Sequence, residues 1–106
     1  MYGVIAHFRL KPGMEARLLE VEREFREAGM PGLRIEFILR MDDDPNNLYE
    51  AILFESKEAF LSVGDIPGQA ERSQKLLALI DGPVEWHNGE LLYLNHLFTR
   101  PEHYPE

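Results

Sequence analysis

The sequence predicts an α+β domain: a four-stranded antiparallel sheet with its helices on one face. Three observations predict it. Apolar stretches of strand length and amphipathic stretches of helix length follow one another in the order β-α-β-β-α-β. The connection between the second and third strands is short enough for an antiparallel hairpin. The strands are also largely apolar in both phases, which leaves one sheet face to be covered by helices and the other by something else.

The first strand is MYGVIAHFRL, where Tyr2, Val4, Ala6, Phe8 and Leu10 alternate with Gly3, Ile5, His7 and Arg9. Lys11-Pro12-Gly13 ends it. In the following MEARLLEVEREFREAG, Met14, Leu18, Val21, Phe25 and Ala28 make one buried helical stripe. Glu15, Glu20, Glu22, Arg23, Arg26 and Glu27 read as its solvated face, with Glu22 and Arg26 spaced for a weak surface pair. Gly29 suits the helix end, and Pro31 forbids continuation.

Residues 33–41, LRIEFILRM, are the second strand, and the turn DDDPNN follows. That acidic turn lacks the glycine and distal glutamate of a calcium loop, so it reads as solvated. The third strand, 48–55, runs directly into Ser56, whose hydroxyl can cap the next helix while Glu58 favours its positive end. The short helix stops near Gly64, and Asp65-Ile66-Pro67 restarts one, with Asp65 as cap and Pro67 in the first turn. Ala70, Ser73, Leu77 and Ile80, with Leu76 beside them, form its expected inner stripe. Asp81-Gly82-Pro83 stops it. Residues 84–96 are extended, with Asn88-Gly89 as a tight hairpin or a bulge. This arrangement is ferredoxin-like. It assigns residues 1–96 to one domain and 97–106 to a tail, and it implies a homodimer through the open sheet faces.

Composition excludes several classes. The 106 residues fit one domain, and 44% hydrophobic with 28% charged residues fit a globular one. Cysteine is absent, which removes disulfides, thiolate metal sites and cysteine nucleophiles. The net charge of −8, with 11 Lys and Arg interleaved among 19 acids, speaks against nucleic acid and anionic membranes as partners. No apolar run reaches membrane-span length, and no secretory leader is recognisable. The expectation is a cytoplasmic protein. His7, His87, His96 and His103 are not spaced three or four apart on a helix, so no metal is expected.

VIAHFRLKPG, MPGLRIEF, LYEAILFESKEAF and the helical turn near DIPGQAE, in this order, resemble the antibiotic biosynthesis monooxygenase family over about residues 1–96. The resemblance implies a dimeric α+β barrel with a cleft between sheet and helices. The activity it implies is cofactor-independent oxygenation of small electron-rich aromatics or quinol-like compounds. There a base removes a proton, the anion gives an electron to oxygen, and apolar walls protect the intermediate. A second branch of the family degrades haem.

Position by position, the family's polar groups are replaced. The Asn of the quinone-forming enzymes falls on Glu50, their Trp on Phe54, their Tyr on Phe60 and their Arg on Ser73, beside Arg72. For the haem branch, Asn falls near Ala6 and the iron-ligating His on Glu71, so haem chemistry is not expected. Glu50 shares a phase with Leu48, Ile52 and Phe54, the helix-facing side. Glu50 and Arg72 are therefore the expected catalytic residues, Glu50 as general base; the structural alternative is that Glu50 pairs with Arg72 or a backbone amide, or lies at the wet edge of the cleft. Phe8, Phe54, Phe60 and Trp86 are the expected substrate walls, and no cofactor is expected. Two other functions fit the same scaffold: an isomerase or lyase using Glu50 as a proton shuttle, and a non-catalytic binding dimer.

Overall fold

In the computed structural model, residues 1–95 are described. The elements run β1 (Tyr2–Arg9), α1 (Glu15–Ala28), β2 (Leu33–Arg40), β3 (Asn47–Phe54), α2 (Lys57–Leu61), a 3-10 turn (Ser62–Asp65), α3 (Gln69–Leu77) and β4 (Glu85–Glu90). The sheet order is β2-β3-β1-β4, and every neighbouring pair is antiparallel. This is the ferredoxin-like arrangement the element order predicts.

One face of the sheet carries the core. Ala6, Phe8 and Leu10 from β1 and its end meet Leu18, Val21 and Phe25 of α1 and Leu48 of β3. Leu79 and Ile80, just beyond α3, close the cluster. The buried residues of α1 are the middle three of its five-residue apolar stripe. Helix α1 also packs against α3. The other face is bare: Ile5, Phe37, Leu39 and Tyr49 are between 36% and 52% exposed, an apolar area of the kind that marks an interaction surface. His7 stands among them, stacked on Tyr49 with ring centroids 4.3 Å apart.

Ser56 caps α2 as its position suggests, its Oγ accepting from the Ala59 N–H at 3.1 Å. The restart of the next helix differs from the expectation. Gly68, not Asp65, occupies the cap position of α3, at φ +77°. Pro67 therefore stands before the helix, and the left-handed turn is made by the residue without a Cβ. The inner side of α3 differs too. Ala70 and Leu77 are exposed, and Gln69, Arg72, Ser73 and Leu76 are the partly covered residues. The tight turn at Gly68 rotates the helix relative to a start at Asp65, which moves its covered stripe.

β4 is shorter than the extended 84–96 stretch. It pairs with β1 in unbroken register from His7↔Glu85 to Tyr2↔Glu90, so Asn88-Gly89 lies within a regular ladder and forms neither hairpin nor bulge. Leu92, Tyr93 and Leu94 are exposed beyond it. His96, His103 and the tail expected at 97–106 lie outside the described residues.

Candidate functional site

Between the sheet and α1, α2 and α3 lies a cavity of about 210 Å³. Its walls are mostly apolar, with Val4, Phe25, Ile52, Phe54, Phe60 and Trp86 among them. Phe54 and Phe60 meet edge to face at 5.8 Å, and Phe60 also contacts Tyr2 at 5.3 Å. Into this apolar space point three carboxylates: Glu22 from α1, Glu36 from β2 and Glu50 from β3. One oxygen from each lies within 4.8 Å of the other two.

Strand register explains two of the three. Glu50 pairs with Ala6 of β1 and with Ile38 of β2, while Glu36 pairs with Ile52. Directly paired residues share a face, so Glu36 is the diagonal neighbour of Glu50 on the helix side. Glu22 comes from the helix that covers them, one residue beyond Val21 and one turn before Phe25. It flanks the buried stripe and does not belong to the solvated face to which the sequence pattern assigns it.

The electrostatics follow from burial. Glu50 is only 4% exposed. Burial first, and then the negative charges of Glu22 and Glu36, push its pKa up to about 9. Burial also raises Glu22, to about 7, with Glu36 adding to the rise. Glu36, at the solvent rim, is raised by burial and held back by Arg26. Glu50 keeps its proton and donates a hydrogen bond to the Glu22 carboxylate, the arrangement of two carboxyl groups sharing one proton. Among the described residues, no N–H group or hydroxyl donates to any of the three side chains. They are also the only grouping among the described residues that could hold a metal, and an all-oxygen set suits a hard cation.

The expected site residues separate. Glu50, Phe54, Phe60 and Trp86 do line one cavity. Trp86 stands at its rim, 58% exposed. Phe8 does not line it; it is buried in the core beside α1, because the register places it opposite Leu48, toward the closed end of the sheet. Arg72 makes no ion pair with Glu50. Its guanidinium donates to Pro67 O at 2.7 Å and Gln69 Oε1 at 3.2 Å, and it sits 5.9 Å over the Phe25 ring. Ser73, where the resemblance aligns a family arginine, lines the cavity. An open groove of about 750 Å³ beside α2 meets the cavity at Met30 and Val63 and contains no buried ionisable group.

Solved structures share this fold. SnoaB, a cofactor-independent oxygenase from Streptomyces nogalater, aligns over 88% of this chain and 94% of its own, with TM-score 0.75 and 18% identity. Rv0793 from Mycobacterium tuberculosis aligns over 90% and 98%, with TM-score 0.71 and 18% identity. A structure titled antibiotic biosynthesis monooxygenase aligns over 88% and 100%, with TM-score 0.71 and 15% identity. No protein-family model and no curated protein matches the sequence. At these identities the common property is the ferredoxin-like α+β fold.

Proposed function

We propose that the chain is a cofactor-independent monooxygenase of the antibiotic biosynthesis monooxygenase kind, working in the cytoplasm as a homodimer. Its substrate is a small electron-rich aromatic or quinol-like compound. The observation that carries this reading is the buried Glu50 carboxyl grouped with Glu22 in a cavity walled by Phe25, Phe54 and Phe60. The fold held in common with a cofactor-independent oxygenase supports it by analogy. The cavity has room for about seven waters, which suits a single-ring compound better than a polycyclic one.

The chemistry asks for one base and one acid. The ionised member of the pair takes a proton from the bound substrate, and the carboxylate with the lower pKa, Glu22, fills that role near neutral pH. The resulting anion passes an electron to dioxygen, which adds at the activated carbon. The O–O bond then breaks: one oxygen stays as a carbonyl, and the other leaves as water with two protons, one of them supplied by the Glu50–Glu22 pair. The substrate is oxidised by two electron pairs and dioxygen is fully reduced, so no flavin or metal is required. The aromatic walls keep bulk water from the intermediate.

The shared proton also favours a second reading, an isomerase or lyase that moves a proton without oxygen. Oxygen uptake with a panel of single-ring hydroquinones separates the two. The oxygenase reading expects uptake that falls at least about a hundredfold in Glu50→Gln, the scale of a lost general acid or base. Uptake unchanged in that variant overturns the assignment of the pair.

The dimer rests on the bare sheet face. Ile5, Phe37, Leu39 and Tyr49 form an exposed apolar area suited to a second copy. Light scattering at micromolar concentration is expected to give twice the chain mass; a monomer would sink it.

A further inference from the structure

The cavity is small for a ligand site. At about 210 Å³ it falls below the roughly 300–1,000 Å³ usual for small molecules. It meets, at Met30 and Val63, the open groove of about 750 Å³ beside α2, and the joined space falls inside that range. The groove runs between the end of α1 and the segment from α2 to α3. Ala28, Met30 and Pro31 stand on one side, and Ala59, Val63 and Ile66 on the other. Its shape is set by backbone geometry. Met30-Pro31-Gly32-Leu33 is a tight turn, the Leu33 N–H donating to Met30 O at 3.0 Å with Gly32 at φ +85°, the pattern that Pro followed by Gly favours. The Glu55 N–H donates to Gly32 O at 2.8 Å, and a Cβ on Gly32 would come within 2.7 Å of the Ala59 Cβ, so the turn is pinned against α2.

The walls of this groove spend their polar groups internally. The Ser62 hydroxyl donates to Glu58 O, the Gly29 N–H to Phe25 O and Arg26 O, and the Ile66 N–H to Val63 O. Pro31 and Pro67, also on the groove, carry no N–H. Its charged members, Glu55 and Asp65, are exposed, and both are acids. We infer that the groove holds an uncharged hydrocarbon chain borne by the compound whose ring occupies the cavity. The chain leaves the ring between Met30 and Val63 and lies along the groove. This rests on the reading of the cavity as the ring's site, and it narrows the substrate class to single-ring phenols or quinols with an alkyl or alkenyl substituent. Met30 suits the passage, because an unbranched thioether side chain can change rotamer to admit the chain and then pack against it. An open groove holds a free chain poorly, whereas tethering to a seated ring makes the second contact intramolecular. Glu55 and Asp65 disfavour a chain that ends in a carboxylate.

The test uses para-alkylphenols that differ only in chain length: phenol itself and its ethyl, butyl and hexyl derivatives, with a hexyl analogue ending in a carboxylate. Binding is followed by calorimetry and by the fluorescence of Trp86, the only tryptophan, at the cavity's mouth. Affinity is expected to rise about threefold for each methylene buried. The acid-ended chain should bind at least about threefold less tightly than hexylphenol. Ile66→Asp and Ala28→Asp, both on the groove and outside the cavity, should each cut the ratio of hexylphenol to phenol affinity at least about tenfold. Ala28 is exposed, so its variant stays informative if Ile66→Asp fails to fold. Affinity independent of chain length, or failure of hexylphenol to bind, overturns the inference. So does a ratio lost in Phe37→Asp and kept in the groove variants, which would put the chain on the bare sheet face. A changed mass of the groove variants in light scattering would mark the groove as a contact between copies and overturn it too. Oxygen uptake with hydroquinone, and no gain in affinity with chain length, would sink this inference alone. A gain with chain length, and no oxygen uptake from any alkylhydroquinone, would instead sink the oxygenase reading alone.

Discussion

The two faces of the sheet are built from alternate residues of the same strands, yet they hold opposite anomalies. On the helix side, Glu50 and Glu22 are ionisable groups where apolar ones belong, Glu50 buried beneath the helices and both lining a cavity walled by phenylalanines. On the bare side, Ile5, Phe37, Leu39 and Tyr49 are apolar groups where charged ones belong. The polar members of that bare side are tied together. His7 Nδ1 lies 2.6 Å from Glu85 Oε1, and its Nε2 meets Asn47 Oδ1. Both ring nitrogens thus face acceptors, and the bonds to Glu85 and then Asn47 raise the His7 pKa. On the bare face His7, Glu85 and Asn47 partner one another. The polar groups of the covered face have only each other, so it is the covered face that asks for a ligand and the bare one that asks for a copy of itself.

Truncating the covered face should do the most damage. Phe54 is 2% exposed and walls both core and cavity, so Phe54→Ala is expected to cost about 3–5 kcal/mol in chemical denaturation. Phe37→Ala, from the bare face, should leave the stability of the separated chain nearly unchanged. If both substitutions cost the same, the two faces do not differ as described.

A charge on the bare face should act on association instead. Phe37→Asp is expected to weaken dimerisation by on the order of thirtyfold or more, the scale of a central interface residue, in sedimentation or light scattering. Unchanged mass would remove that face as the contact.

The carboxyl pair sets the pH dependence. Glu50 and Glu22 have folded-state pKa values above their unfolded values. The folded chain therefore holds protons the unfolded chain has lost, and its stability declines as pH rises from the ordinary carboxylate range through about 9. His7, also raised, contributes with the same sign, so the variant comparison is what isolates the pair. Glu50→Gln should flatten the decline, with melting about 5 °C above the parent at pH 9 and little changed at pH 5. A parallel decline in both proteins would place the proton elsewhere. The smallest effect belongs to the join between β3 and α2: Ser56→Ala, which removes the bond to the Ala59 N–H, should cost about 1 kcal/mol.

Much of this was legible because it repeats. Alternation along β1 and β3 places Glu50 and Phe54 on the helix side, and a serine before an acidic first turn announces the cap at Ser56. The phase of Glu50 alone raised the question of a buried carboxylate. Its two companions were harder to see. Glu22 sits among seven other charged residues of α1, and only its adjacency to Val21 and Phe25 marks it as lying on the edge of the buried stripe. Glu36 required the β2–β3 register, which depends on where the turn at 42–47 closes, and Arg40↔Leu48 at its base fixes that. Arg72 was drawn toward Glu50 by charge; the left-handed turn at Gly68 turns it toward Pro67 instead. Phe8 and Phe54 look alike in sequence, but the first faces the packed end of the layer and the second the hollow one.

The rims of the sheet bear on how copies can add. β2 and β4 are its outermost strands. β2 carries Arg34, Glu36 and Arg40, and β4 spans six residues between Glu85 and Glu90, all exposed. Edge strands so charged, one of them only six residues long, offer a poor template for lateral growth into a ribbon. Stacking through the greasy flat side consumes that side in both members, so assembly by this route terminates at a pair and leaves no sticky end from which a fibre could extend.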